Sequence, residues 1–246
     1  MTVVVAGGNR GIGFEMARGL TQPGETAILG YQRDEASARE AVETLAKDGI
    51  TAFAVQSDMS TPEGVAHFIS EAARLGDGSI RVLVHSLVRV LQGPILEHDV
   101  HEITSVLNVN AMSLLWLVHA ARPHLDRGSC ILFLSSRGST RVIPGYGAVG
   151  PAKAFAESLI KNLAVELGPD GIRINAISPG TQDTQALRQV YGDKTDEKIE
   201  ASRKATPMRR LATPKDYVAL SRFIVSPEAE MLTGQTYMVY GGTDLL

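Results

Sequence analysis

The chain has 246 residues, 44% of them hydrophobic, and 24 Lys and Arg against 27 Asp and Glu give a formal charge of −3. That balance excludes a polybasic protein drawn as a whole to nucleic acid or an anionic membrane, and the apolar fraction is that of an ordinary globular protein. The single cysteine, Cys130, has no intrachain disulfide partner and lies in an apolar run, which points to a buried, inert thiol in a reducing compartment.

In chain order, the opening Met1-Thr2-Val3-Val4-Val5-Ala6-Gly7 lacks the basic and apolar regions of a secretory signal. No stretch approaches the roughly 18 apolar residues of a membrane span, since 111–121 is interrupted by Ser113 and His119. The expectation is a cytoplasmic protein with neither membrane nor nucleic acid as partner. Seven short β-branched, apolar runs are expected as strands, near 2–7, 26–31, 51–56, 80–86, 129–135, 172–178 and 235–240. Helical periodicity fills the gaps. Residues 36–47 carry Ala38, Ala41, Val42 and Leu45 at helical spacing, and Thr61-Pro62-Glu63 provides an N-cap followed by a first-turn proline. Strands alternating with helices predict one α/β domain over 1–246: a Rossmann-like, doubly wound parallel sheet with helices on both faces. The polar segment 180–214, with a weakly amphipathic helix at 196–204, follows the sixth strand where ligands of such sheets bind, and is expected to be a substrate lid.

After the first strand comes Gly7-Gly8-Asn9-Arg10-Gly11-Ile12-Gly13 and then a helical run. Glycines let the backbone turn and approach a pyrophosphate, and the helix start offers free amides and a positive dipole end to it. The ribose side of a dinucleotide is read by charge at the end of the second strand, here Leu29-Gly30-Tyr31-Gln32-Arg33. No acid ends the strand, and Arg10 and Arg33 can converge on a 2′-phosphate, so NADPH is favoured; NADH stays open because Asp34 follows at once.

The spacing Gly7-x3-Gly11-x-Gly13 resembles the short-chain dehydrogenase/reductase family, and the likeness runs over nearly the whole chain. It implies adenine contacts at Asp58 and neighbouring Met59, cofactor contacts at Asn9, Ile12 and Ser86, and nicotinamide contacts from Ser178-Pro179-Gly180 with Thr184. It implies a proton-relay role for Asn110 and a C-terminal signature in Leu232-Thr233-Gly234-Gln235 and Gly241-Gly242, where Tyr240 replaces the usual Asp. It also implies a homotetramer, with the helix around Trp116 between protomers.

Most of that family carries Tyr and Lys four apart, with Ser thirteen before the Tyr. Here Lys153 and Ser136 are in register, but Val149 occupies the tyrosine position and Tyr146 lies seven before the lysine. Seven residues are about 10.5 Å of helical rise against about 6 Å for four, so this phenol reaches in from further out. The Tyr-x6-Lys arrangement and Val84-His85-Ser86-Leu87 resemble the enoyl-[acyl-carrier-protein] reductases, nearest their NADPH-dependent third type, because Ser136 stands where the main type has a second Tyr. The resemblance implies hydride transfer to an enoyl thioester, carried by acyl carrier protein or coenzyme A, in fatty acid or related biosynthesis. A displaced phenol suits that chemistry, since charge develops on a thioester oxygen remote from the β-carbon that takes the hydride. Tyr146 is then the donor to the enolate oxygen, Lys153 holds the nicotinamide ribose and Ser136 is an additional donor. The alternatives are a carbonyl or β-ketoacyl reductase, and a catalytically impaired nucleotide-binding relative. His98 and His101, beside Glu97 and Asp99, read as a solvated helix start rather than a metal site, and His85 as a lining residue of the cofactor pocket.

Overall fold

The computed structural model describes residues 1–245. Its strands are β1 (Thr2–Ala6), β2 (Thr26–Tyr31), β3 (Thr51–Gln56), β4 (Ile80–His85), β5 (Cys130–Leu134), β6 (Arg173–Pro179) and β7 (Thr236–Val239). All pair in parallel, in the order β3-β2-β1-β4-β5-β6-β7. The doubly wound sheet expected from the sequence is therefore present, with each predicted strand found to within a residue or so at its ends.

Helices α1 (Gly11–Leu20), α2 (Glu35–Lys47), α3 (Pro62–Leu75), α4 (Val100–Leu107), α5 (Ser113–Ala121), α6 (Val149–Leu167), α7 (Gln185–Tyr191), α8 (Thr195–Ala205) and α9 (Pro214–Val225) complete the framework. The continuous apolar runs are explained by burial on both faces. Val4, Ala6, Ile131, Phe133 and Ile174 pack with α3, α5 and α6, whereas the alternate Val3, Val5, Leu132 and Ile177 pack with α1, α2 and α9. The edge strand β3 instead exposes alternate residues, as one half-buried face requires. Thr61 caps α3 as expected, accepting from the Gly64 amide at 3.1 Å.

Two expectations need correction. Helix α4, a π-helical turn at Asn108–Met112, α5 and a final 3₁₀ turn make one run, Val100–His124, that is long and apolar enough by composition to cross a membrane. Its apolarity has another use, because Leu114, Leu117, Val118 and Ala121 are buried in the core against the sheet. Segment 180–214 holds two helices where one was expected, α7 and α8.

Strand order reverses between β1 and β4, so the crossovers leave in opposite directions and open a cleft at the strands' C-terminal ends. The glycine turn after β1 and Ser136, Tyr146 and Lys153 all line that cleft.

Candidate active site

The cleft is a cavity of about 510 Å³. At one end β1 turns through Gly7, with φ at +80°, into α1, whose start no side chain caps. The first-turn amides and the positive dipole end are thus left for an anion. Gly7, Asn9, Arg10, Gly11 and Ile12 line the cavity. Gly13 does not. Its role is close packing: a Cβ there would stand 2.0 Å from the Gly7 carbonyl oxygen and 2.8 Å from the Ser86 hydroxyl.

Asp58, Met59 and Ser86 line the cavity as well. The Asp58 carboxylate accepts from the Ser60 hydroxyl (2.6 Å) and amide (3.1 Å) and from the Gln32 amide group (2.8 Å). Those bonds, the Ser60 hydroxyl's first, outweigh burial and hold it below the usual carboxylate range. The expected pair of arginines is not formed. Arg33 is exposed and outside the cavity, while Arg10 lines it and is bridged to Asp34 at 2.5 Å. Asp34 is held there because it also caps α2, accepting from the amide (3.0 Å) and hydroxyl (2.8 Å) of Ser37.

At the other end, Pro179, Gly180 and Thr184 line the cavity, followed by residues of α7 and α8, so segment 180–214 forms one of its walls. Thr184 caps α7 by accepting from the Leu187 amide at 3.2 Å, which leaves its hydroxyl proton available. Tyr240, at the unusual position before Gly241-Gly242, hydrogen-bonds through its hydroxyl to Ser178.

Ser136, Tyr146 and Lys153 meet in this cavity. Helix α6 begins at Val149, so Tyr146 sits just before it, its carbonyl accepting from the Gly150 amide at 3.0 Å. The ring lies over Gly138, where a Cβ would come within 2.8 Å of ring carbon. Burial raises the phenol's pKa, and a hydrogen bond from Ser136 works in the opposite direction. Lys153 is almost wholly buried; its Nζ donates to the Leu134 carbonyl at 2.8 Å and stands 4.4 Å from the Phe133 ring centroid. Desolvation brings it down to about 7, against the opposing effect of Glu157. Val149 is fully buried with Val106 and Ala148, against Leu91 and Tyr146, and does not line the cavity.

His85 departs from expectation. It ends β4 fully buried and outside the cavity lining, with Nε2 2.7 Å from the Ser113 hydroxyl and its ring 4.9 Å from that of Phe133. Successive strand residues point to opposite sides, so Ser86 lines the cavity while His85 turns into the core toward Ser113 of α5. Asn110, within the π-helical turn, donates to the carbonyls of Arg89 and Val106, both at 2.9 Å, and its buried Oδ1 has no protein partner. Sequence reading missed Glu157, one helical turn after Lys153 and hydrogen-bonded to Ser135. The four-residue spacing was the available signal. It also missed Tyr191 and Lys198, whose place in the wall depends on the path of the segment.

The Gly138 contact carries a prediction. Gly138→Ala should push the Tyr146 ring out of place and lower turnover by about 10²-fold, the effect of an ångström-scale misplacement. Cofactor affinity, measured by fluorescence titration, should change less than twofold; undiminished turnover would contradict the packing.

A parallel sheet with its cleft at the switch point, a glycine turn into an uncapped helix, and a buried lysine with a phenol at the far end define a dinucleotide-dependent oxidoreductase. The family model described as enoyl-(acyl carrier protein) reductase matches residues 6–244. The chain belongs to the short-chain dehydrogenase/reductase family. It is 32% identical over 247 residues to a 3beta-hydroxysteroid dehydrogenase 1 of Eggerthella lenta, covering 99% of this chain and 94% of that one. Identity to 1-cyclohexenylcarbonyl-CoA reductase of Streptomyces collinus is 29% over 243 residues, covering 99% and 86%. A short-chain dehydrogenase from Burkholderia cenocepacia solved with NADP superposes with a TM-score of 0.88 at 28% identity, covering 98% of this chain and 97% of that one.

Proposed function

We propose that the protein reduces an enoyl thioester with NADPH. The observation that carries this reading is the position of the phenol: Tyr146 shares the cavity with Lys153, and the usual tyrosine position is filled by Val149, buried in an apolar cluster. Bound NADPH supplies the hydride. Ile12 and the α1 start hold its pyrophosphate, Asp58 its adenine, and Lys153 its nicotinamide ribose. Tyr146 donates a hydrogen bond to the thioester oxygen as enolate charge develops there, and Ser136 supports the phenol. Lys153, when protonated, adds positive charge beside that oxygen. The carrier is coenzyme A or acyl carrier protein, and the half of the α4–α5 run turned away from the core suits the contacts of a tetramer.

The test is NADPH oxidation with crotonyl and acetoacetyl thioesters side by side. Faster enoyl turnover is expected; faster reduction of the ketone would replace this reading with carbonyl reduction, the chemistry of the hydroxysteroid dehydrogenase relative.

The choice of cofactor rests on Arg10, which Asp34 holds. Asp34→Ser keeps an N-cap for α2 and releases the guanidinium. It should raise the preference for NADPH over NADH about tenfold, since charge-assisted bonds are worth about 1.5–3 kcal/mol. Dissociation constants for both cofactors read this directly, and an unchanged or lower ratio would remove Arg10 from phosphate recognition.

A further inference from the structure

A second cavity, of about 220 Å³, adjoins the first at the base of segment 180–214 and shares Arg137, Gly180, Thr181, Lys198 and Ser202 with it. Its described lining holds Arg137, Lys198 and Arg210 and no Asp or Glu. Charge in this region is sorted rather than scattered. Asp183 and Asp196 pair with Arg188, Glu200 with Arg203 and Lys204, and Asp216 with Arg210. Lys198, among the described residues, has no carboxylate partner; its Nζ stands 5.5 Å from the Tyr191 ring centroid.

Arg137 complements it from the other side. It follows Ser136, and its Nε donates to Asp244 Oδ1 at 2.5 Å. The same carboxylate oxygen lies 3.3 Å from Arg141, so one acid is divided between two guanidiniums. Among the described residues the terminal nitrogens of Arg137 make no hydrogen bond. A guanidinium held through Nε and open at its outer edge presents the paired donors that suit a carboxylate or phosphate. The hydroxyls of Thr181 and Ser202 border the same point.

We propose that the junction of the two cavities is an anion subsite, formed by Arg137 and Lys198, that selects a substrate bearing a carboxylate or phosphate. This rests on the reductase reading only in taking the larger cavity as the seat of the acyl group. Asp244 is a positioning residue that aims Arg137.

Calorimetric titration of the protein loaded with NADP⁺, which has no hydride to give, tests it with three probes: the N-acetylcysteamine thioester of crotonic acid, the same thioester of an enoyl chain ending in a carboxylate, and crotonyl phosphopantetheine. The first is neutral, the second places the anion on the acyl side and the third on the carrier side. At least one charged probe should bind more tightly than the neutral one, and which does so identifies the source of the anion. Lys198→Gln should weaken that probe about tenfold or more and the neutral one less than twofold. Lys204→Gln, which removes an exposed α8 cation paired with Glu200, should leave all three unaltered. Asp244→Asn should weaken the charged probe selectively, with Asp244→Glu restoring part of the loss. Equal weakening of all probes by Lys198→Gln, an equal effect of Lys204→Gln, or no advantage for either charged probe would overturn the subsite. NADPH consumption is read separately: charge-selective binding without turnover of any thioester would sink the reductase reading and leave the subsite standing.

Discussion

Tyr146→Phe is expected to lower enoyl thioester reduction by about 10²–10³-fold, the effect of losing one preorganised donor to a developing oxyanion. The ring would still rest on Gly138, because the substitution removes a single oxygen from a seat that the ring itself fills. NADPH affinity should be nearly unchanged, so the loss should appear in kcat more than in KM. Single-turnover measurement of NADPH oxidation isolates the chemical step from product release. Full activity in that measurement would show that the phenol does no more than pack.

Lys153→Met should separate stability from activity. Desolvation brings the buried ammonium from 10.5 to about 7, so the native state binds the proton less tightly than the unfolded chain does. Below pH 7 the group is charged in both states and the native protein bears the whole penalty. Between pH 7 and about 10.5 only the unfolded chain stays protonated, so this group's contribution to stability improves as pH rises, and above that range the penalty is gone. The methionine variant, with a side chain of similar length and no charge, should therefore be more stable than the wild type near pH 6. A gain of about 2–4 kcal/mol is expected, somewhat under the full linkage value because the bond to Leu134 and the Phe133 contact are lost with the ammonium. Urea unfolding at several pH values should show the advantage shrinking toward pH 10. Turnover should fall below detection. An advantage that does not vary with pH would mean that the lysine is not held against its charge.

The sheet was legible because strands buried on both faces are written as uninterrupted apolar runs, and the nucleotide end was legible because its glycines are adjacent in sequence. Tyr146, Lys153 and Ser136 were found because their arrangement resembles the family's pattern, and all three line the cavity. Elsewhere local pattern did not determine where a side chain goes. Arg33 and Arg10 looked equivalent on paper, but the Asp34 cap engages Arg10 while Arg33 points to solvent. His85 was misplaced because which residue of a strand faces a cleft depends on where the strand ends, and a one-residue uncertainty reverses the face. Contacts such as Arg137 with Asp244 join residues 107 positions apart, which no local pattern announces.

The alternation at the end of β4 also turns His85 into the core while Ser86 lines the cleft. The Phe133 ring packs against both the Lys153 ammonium and the His85 imidazole. Burial, reinforced by that ammonium, keeps the imidazole uncharged well below the ordinary histidine range. A histidine-acylating reagent should therefore spare His85 in the folded protein, and any inactivation it causes would report on histidines elsewhere. To someone redesigning this enzyme for acid–base chemistry, the imidazole at the end of β4 is buried and out of reach, and a new proton donor has to be installed at a position that lines the cleft, as Ser86 does.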